Sequence, residues 1–277
     1  MEGKLPIGVG SDALDELSRP TESRAPARNN VALGRREMNV AVMKTKVEQA
    51  LTENFAAVED QLPGGVDARK ARDAAIGRFG ALGLPNRRVE AWKYTDLRNA
   101  LKEALPPSTG REVEVKPSDL AAALGPLAEI DAQQVVFING AYREDLSKND
   151  AENAINIGSL AEALSSPEAT ALLSSEGRDD DPVLALNAAY VTDGAVVRIA
   201  DGAKLDKPLL LLFVRAGGEP CFTAARNVVS VGNGADVTLI EAFVTLSGAS
   251  QGGQEIMATK VSLGEGASVA HVKCTID

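Results

Sequence analysis

Apolar side chains recur along this chain at two spacings, and the change between them divides it. From Val42 the spacing is helical: Val47, Leu51, Phe55 and Val58 fall four, four and three positions apart, on one stripe of a helix. Pro63-Gly64-Gly65 stops it. Asp67 is the expected N-cap of a second helix carrying Ala71, Ala75, Ile76 and Phe79, stopped by Gly80 and Gly83. The pair reads as a helical hairpin. Thr95 or Asp96 caps a short helix running through residues 101–105, and Ser118 caps another that reaches Leu124. Val135-Val136-Phe137-Ile138 before Asn139-Gly140 is a strand entering a turn, with Tyr142 and Leu146 on the return. Short helices are expected at residues 159–164 and 167–173. Asp181 with Pro182 behind it marks a capped helix through Val183, Leu184, Leu186, Asn187 and Tyr190.

Past Val191 the spacing drops to two. Asp193-Gly194-Ala195, Asp201-Gly202-Ala203, Asn233-Gly234-Ala235 and Glu265-Gly266-Ala267 each precede alternating apolar positions, and Gly202, Gly234 and Gly266 stand 32 residues apart. Glycine permits a positive φ at each corner and alanine fits a tight inner turn, so equal spacing predicts stacked coils. The expected fold class is mainly β with an α-helical N-terminal region, its core a stacked β-solenoid, or β-helix. The expected organisation is a leader at 1–41, a helical domain at 42–105, a mixed α/β connection at 106–190 and a β-helix core at 191–277. The repeat runs almost to Asp277 without a capping element. That predicts a solenoid incomplete at its C-terminal end, able to self-associate through the open coil.

Composition narrows the chemistry. The 277 residues are 44% apolar but only 4% aromatic, with a net charge of -10, which argues against nonspecific binding to nucleic acid or anionic membrane. One His and two Cys exclude a disulfide scaffold and any single-chain metal centre that needs four thiolates or three imidazoles. No run approaches 18 apolar residues and no apolar signal core opens the chain, so a cytoplasmic location is expected. A targeting peptide at the N-terminus is disfavoured by Glu2, Asp12, Asp15, Glu16 and Glu22.

Candidate reactive groups are few. His271 and Cys274 are three positions apart in a predicted strand, so alternation sends them to opposite faces. Cys221 approaches His271 only if equal repeats bring the two together. Asp179-Asp180-Asp181 reads as a solvated turn and helix cap rather than a cation site. Asp193 and Asp201 are the sole pair to offer a saccharide-processing enzyme, and their place at Gly-Ala corners favours structure. No P-loop is present. No catalytic, cofactor or metal residue is assigned, and the chain is not expected to be an enzyme.

One stretch mixes charge with the single Trp: Arg87, Arg88, Glu90, Trp92, Lys93, Tyr94, Thr95 and Asp96. A phosphate or nucleotide site is one reading; a Trp92 anchor with solvated charges is the simpler one. The run Gly83-Leu84-Pro85-Asn86-Arg87-Arg88-Val89-Glu90-Ala91-Trp92-Lys93-Tyr94-Thr95-Asp96-Leu97 resembles the opening segment of the SufD branch of the SufB/SufD iron–sulfur cluster assembly family. Val136-Phe137-Ile138-Asn139-Gly140, Leu186-Asn187-Ala188-Ala189-Tyr190, Asp193-Gly194, Lys207-Pro208-Leu209 and Arg226-Asn227 extend the resemblance, as does the run from Ala235 to Glu241. It covers residues 43–277. It implies a right-handed β-helix core and a noncatalytic scaffold of the SUF system, paired with a SufB-like paralogue and a SufC-like ATPase. The cluster is then assembled transiently in the full complex, with no cofactor resident in this chain. The resemblance also implies a C-terminal helical domain, for which no counterpart is seen here; an N-terminal fragment is the expectation. Arg88, Glu90, Trp92, Lys93, Tyr94, Thr95, Asp96, Asn139, Gly140, Asn187, Asp193, Gly194, Pro208, Asn227, Gly234 and Gly266 form its signature, with structural roles expected. A general interaction scaffold remains the rival reading.

Overall fold

Thr45 starts the first helix by a reciprocal cap. Its hydroxyl accepts from Glu48 N at 3.2 Å, and Glu48 Oε2 accepts from Thr45 N at 2.6 Å. The computed structural model describes residues 44–109, 113–150, 154–249 and 252–276, so the leader expected at 1–41 lies outside the described residues. Helix α1 (Lys46–Val58) buries Val47, Leu51 and Phe55 on the stripe read from the sequence. Helix α2 (Val66–Leu82) differs from expectation at both ends. Gly65, not Asp67, is its N-cap, and the helix passes through Gly80 to stop at Gly83. Asp67 sits inside the first turn, where its carboxylate meets Lys70 at 3.6 Å and the helix dipole favours it. Buried Ala75 and Phe79 hold the last turns, which offsets the low propensity of Gly80.

Asp96 caps α3 (Leu97–Ala100) by accepting from Asn99 N at 3.0 Å, and the chain turns extended at Leu101, short of the predicted length. Helix α4 (Pro117–Leu124) follows Lys116, with Pro117 in its first turn, so Ser118 lies inside the helix instead of capping it. Next come β1 (Gln133–Ile138), β2 (Ala141–Tyr142), β3 (Ile155–Ser159), α5 (Leu160–Ala163), α6 (Ala169–Leu173) and α7 (Pro182–Tyr190). Asp181 Oδ1 caps α7 by accepting from Val183 N and Leu184 N at 2.9 and 3.0 Å. The remaining strands are β4 (Ala195–Ile199), β5 (Leu209–Arg215), β6 (Phe222–Val231), β7 (Asp236–Thr245), β8 (Gln254–Leu263) and β9 (Ser268–Ile276).

The β-solenoid expectation is overturned. The strands form two sheets, one in the order β2-β1-β5-β7-β9 and one in the order β3-β4-β6-β8. Pairing is mixed: β1–β2 and β3–β4 are antiparallel and the others parallel. Strands from residues 133–159, upstream of every repeat, join both sheets, so the class is mixed α/β rather than a β-helix. The 32-residue spacing survives as register: Val196 pairs with Val228, Phe222 with Gln254 and Asp236 with Ser268. The segment at 201–205, expected to run as a strand, contributes only the bridge Lys204↔Asp236. Among the described residues β9 and β8 end the two sheets, so open strand edges remain although the solenoid does not.

The layers explain the alternation. Between the sheets lie Val135, Phe137, Val197, Leu211, Phe213, Val229, Leu239 and Phe243, with Phe213 stacked 5.1 Å from Phe137 and 5.3 Å from Phe243. The far face of the five-stranded sheet, Val136, Leu212 and Ala242, packs on Leu120 and Leu124 of α4. Val196 and Val228 on the far face of the other sheet meet Leu160, Leu164 and Leu172. Both faces are covered over β1, β4, β5, β6 and β7, whereas no residue of β8 or β9 is buried.

Candidate functional site

Asp193 collects the seam where helices meet sheets. Its Oδ1 accepts from Ser159 Oγ at 2.8 Å, Ala161 N at 3.0 Å and Gly194 N at 2.8 Å, while Oδ2 accepts from Tyr142 N at 3.0 Å. Gly194, at φ +154°, lies so close to the next strand that a Cβ there would fall 1.8 Å from Arg226 O. Gly140, at φ +81°, is packed against Thr192, whose hydroxyl donates to Gly140 O at 2.8 Å. Asn139 pairs with the backbone of Ala216, donating to its carbonyl at 2.8 Å and accepting from its N–H at 3.0 Å. Pro208 closes β1 from the other end, its carbonyl accepting from Gln133 N at 2.9 Å.

A second group holds α7 on the four-stranded sheet. Asn187 donates to Ala225 O and Ile256 O at 2.9 and 3.0 Å and accepts from Arg226 Nε at 2.9 Å. Arg226 is buried, and its guanidinium also donates to Leu172 O and Ser174 O at 3.2 Å. Burial and the neighbouring Arg78 push its pKa down to about 10, which leaves it charged at neutral pH. Carbonyl oxygens supply the compensation that a carboxylate gives elsewhere.

Between the sheets sits a carboxylate. Glu241 of β7 is 0% exposed; its Oε1 accepts from Asn227 Nδ2 at 2.8 Å and from the Thr259 hydroxyl, and its Oε2 lies 3.1 Å from Lys273 Nζ and 3.2 Å from His271 Nε2. Asn227 in turn accepts from Ala195 N at 3.0 Å. Burial pushes the Glu241 carboxyl up, yet the Thr259 hydroxyl, the Lys273 ammonium and the Asn227 amide together hold it below its ordinary value of 4.5. His271 faces this carboxylate, whereas Cys274 joins the opposite face against α4, as alternation requires. Cys221 lies 3.8 Å from the Thr223 hydroxyl at the start of β6, in the other sheet, so the repeats do not bring it to His271. The sequence reading gave Glu241 no role. Its signal was there: a Glu between Leu239 and Phe243 at an inward position of a core strand.

Asp201 does not pair with Asp193. It accepts from Asn233 N at 2.8 Å, and Asn233 accepts from Glu265 N at 2.8 Å one repeat further on, a ladder of corners. Gly234 and Gly266 turn those corners at φ +63° and +67° with open space around them.

The opening segment lies elsewhere. Glu48 accepts from Leu84 N at 2.7 Å and meets Arg98 Nε at 3.4 Å, which ties both ends of the loop to α1. On that loop Arg88 and Thr95 are exposed, Glu90 and Lys93 pair at 2.8 Å, and Tyr94 is 87% exposed with Lys93 Nζ 5.2 Å from its ring. Trp92 is half-buried. It forms a wall of a cleft of about 400 Å³ instead of joining the buried clusters.

Residues 45–211 match the family model of the SufBD protein N-terminal region. The chain belongs to the SufBD family. It is 32% identical over 213 residues to an iron–sulfur cluster assembly SufBD family protein of Synechocystis, covering 73% of this chain and 46% of that protein. Over 170 residues it is 27% identical to the iron–sulfur cluster assembly protein SufD of Escherichia coli K12, covering 60% of this chain and 37% of that one. The chain thus spans less than half the length of these SufBD relatives. Among the described residues no helix is long and apolar enough to cross a membrane.

Proposed function

We propose that this SufBD chain serves as a noncatalytic scaffold in iron–sulfur cluster assembly, beside a SufB-like paralogue and a SufC-like ATPase, with the cluster as cargo. Family membership supports the assembly role. The scaffold part rests on one observation: the polar signature side chains at the sheet seam are committed to the fold. Asp193 accepts from four donors, and Asn139, Asn187 and Asn227 each bridge separate segments. A carboxylate filled by three backbone N–H groups and a hydroxyl has little left to offer a substrate. The test is co-expression of the tagged protein with the SufB-like and SufC-like proteins of the same organism. Stoichiometric co-elution on size exclusion is expected. Elution of the chain alone, while the other two associate without it, overturns the reading.

A further inference from the structure

We propose that the cavity at Arg226 binds a tetrahedral oxyanion, phosphate or sulfate, as a counterion that the fold itself does not supply. Arg72 of α2 and Arg226 of β6 are 2% and 4% exposed, and among the described residues neither they nor Arg78 forms an ion pair. Burial, and after it the charge of Arg226, pushes Arg72 down to about 10; burial, and after it Arg78, does the same to Arg226. The three guanidiniums therefore feel one another. Carbonyl dipoles compensate them without neutralising them: Arg72 donates to Ala189 O at 2.8 Å and Pro63 O at 3.0 Å, as Arg226 does to Leu172 O and Ser174 O. Buried positive charge without a counter-charge is costly, and an anion beside it lowers that cost. The excess charge lies on α2 and β6, not on the edge strand β8.

The cavity that reaches Arg226 holds about 280 Å³, below the range of about 300–1,000 Å³ usual for drug-sized ligands, so it suits an ion or one phosphoryl group. Arg178, Arg226 and Lys260 line it against one carboxylate, Glu176, and that balance selects an anion. Two donors there are uncommitted. Arg226 Nη2 carries two N–H groups but has a single acceptor, Leu184 O at 3.5 Å, and Leu184 lines the same cavity. The Ser174 hydroxyl accepts from Glu176 N at 3.1 Å, and its own proton has no acceptor among the described residues. Ser175 and Thr259 also line the cavity, but their hydroxyls are committed to Asp179 and Glu241. Glu176 pairs with Lys260 Nζ from a left-handed φ of +48°, so a carboxylate of the chain already rests on the cavity wall. An oxyanion that takes its place on Lys260 adds hydrogen bonds from Arg226 and Ser174, a charged fork and a hydroxyl being donors that phosphate and sulfate accept from. Arg178 keeps Asp181 at 2.8 Å and acts at longer range. This goes beyond the assembly reading, which stands or falls by other measurements.

The probes are inorganic phosphate, sulfate and glycerol phosphate, titrated by calorimetry into the 277-residue chain against chloride of matched ionic strength. Dilute anion is used because concentrated sulfate or phosphate stabilises any fold by exclusion from its surface. Saturable binding of phosphate and sulfate, one ion per chain, is expected. Affinity should fall about tenfold in Lys260→Gln and rise in Glu176→Gln, which leaves the Lys260 ammonium to the ion. Both variants are expected to melt with wild type in anion-free buffer, because the pair they break is partly exposed. Ser174→Ala supplies an independent loss of affinity should either melt early. Equal binding of the ester points to a phosphorylated molecule as the source and binding of the free ions alone to the ion; both sustain the proposal. Chloride that competes at equal concentration overturns it. Phosphate binding that neither Lys260→Gln nor Glu176→Gln alters also overturns it, since the ion then sits elsewhere, and so does the absence of binding by every oxyanion.

Discussion

Asn227 Nδ2 donates to Glu241 Oε1 at 2.8 Å, a hydrogen bond that crosses from the four-stranded sheet to the five-stranded sheet inside the core. The same amide group accepts from Ala195 N, so one side chain fixes β4, β6 and β7 relative to each other. Asn227→Ala should cost about 1–3 kcal/mol for each buried group it orphans, read from the denaturant midpoint. An unchanged midpoint shows that the sheets are held by apolar packing alone.

Glu241 gives stability a pH signature. Its folded carboxyl lies below the ordinary 4.5, so its contribution is present above that value and is lost as pH falls through the lower folded pKa. The groups facing it are the Asn227 amide, the Thr259 hydroxyl, Lys273 and His271. The stability gap between wild type and Glu241→Gln should be widest near neutral pH and shrink below about 4.5 in melts taken across pH. A gap that stays constant from neutral to acid pH contradicts an ionised, hydrogen-bonded Glu241.

Glycines with positive φ separate by what a methyl group meets. Gly194→Ala places Cβ 1.8 Å from a backbone oxygen and should abolish soluble folded protein. Gly234→Ala, at φ +63° with open space around it, should lose only about 1 kcal/mol. Comparable soluble yields and melts for the two variants contradict the close strand approach at Gly194.

Two aromatics should differ in how much they hold. Tyr190 is buried edge-on to Phe55 and Phe222, with centroids at 5.6 and 5.0 Å, and its hydroxyl donates to Leu51 O. Tyr190→Ala should cost about 3–5 kcal/mol. Trp92→Ala should cost less, about 1–3 kcal/mol, because the ring is only partly buried at the cleft. Matching losses in the thermal melts place Trp92 in the core after all.

The helices were legible because their signals are local. Asp181-Pro182 carries its own cap, and α7 starts where the sequence predicts; the Thr45-x-x-Glu48 box that starts α1 is equally local but was not among the predicted caps. The solenoid was misread because repeat spacing reports register, not closure. Nothing in the Gly-Ala corners says that β1, β2 and β3, from another part of the chain, complete the two sheets. Trp92, expected as an anchor, is partly buried; its place in the wall of the cleft depends on β8 arriving from residues 254–257, more than 150 positions away in sequence. The polar seam was visible as a signature, and only the fold shows that its carboxylates and amides are spent on neighbouring backbone.

The central claim is a role in cluster assembly, and the most direct measurement is made in cells. Iron and acid-labile sulfide should be quantified in purified iron–sulfur proteins from a strain deleted for the gene that encodes this chain. The account predicts under-loaded clusters, restored by the wild-type gene and not by one carrying Gly194→Ala, whose scaffold cannot close. Full cluster loading in the deletion strain, under iron limitation as well as in iron-replete medium, contradicts it.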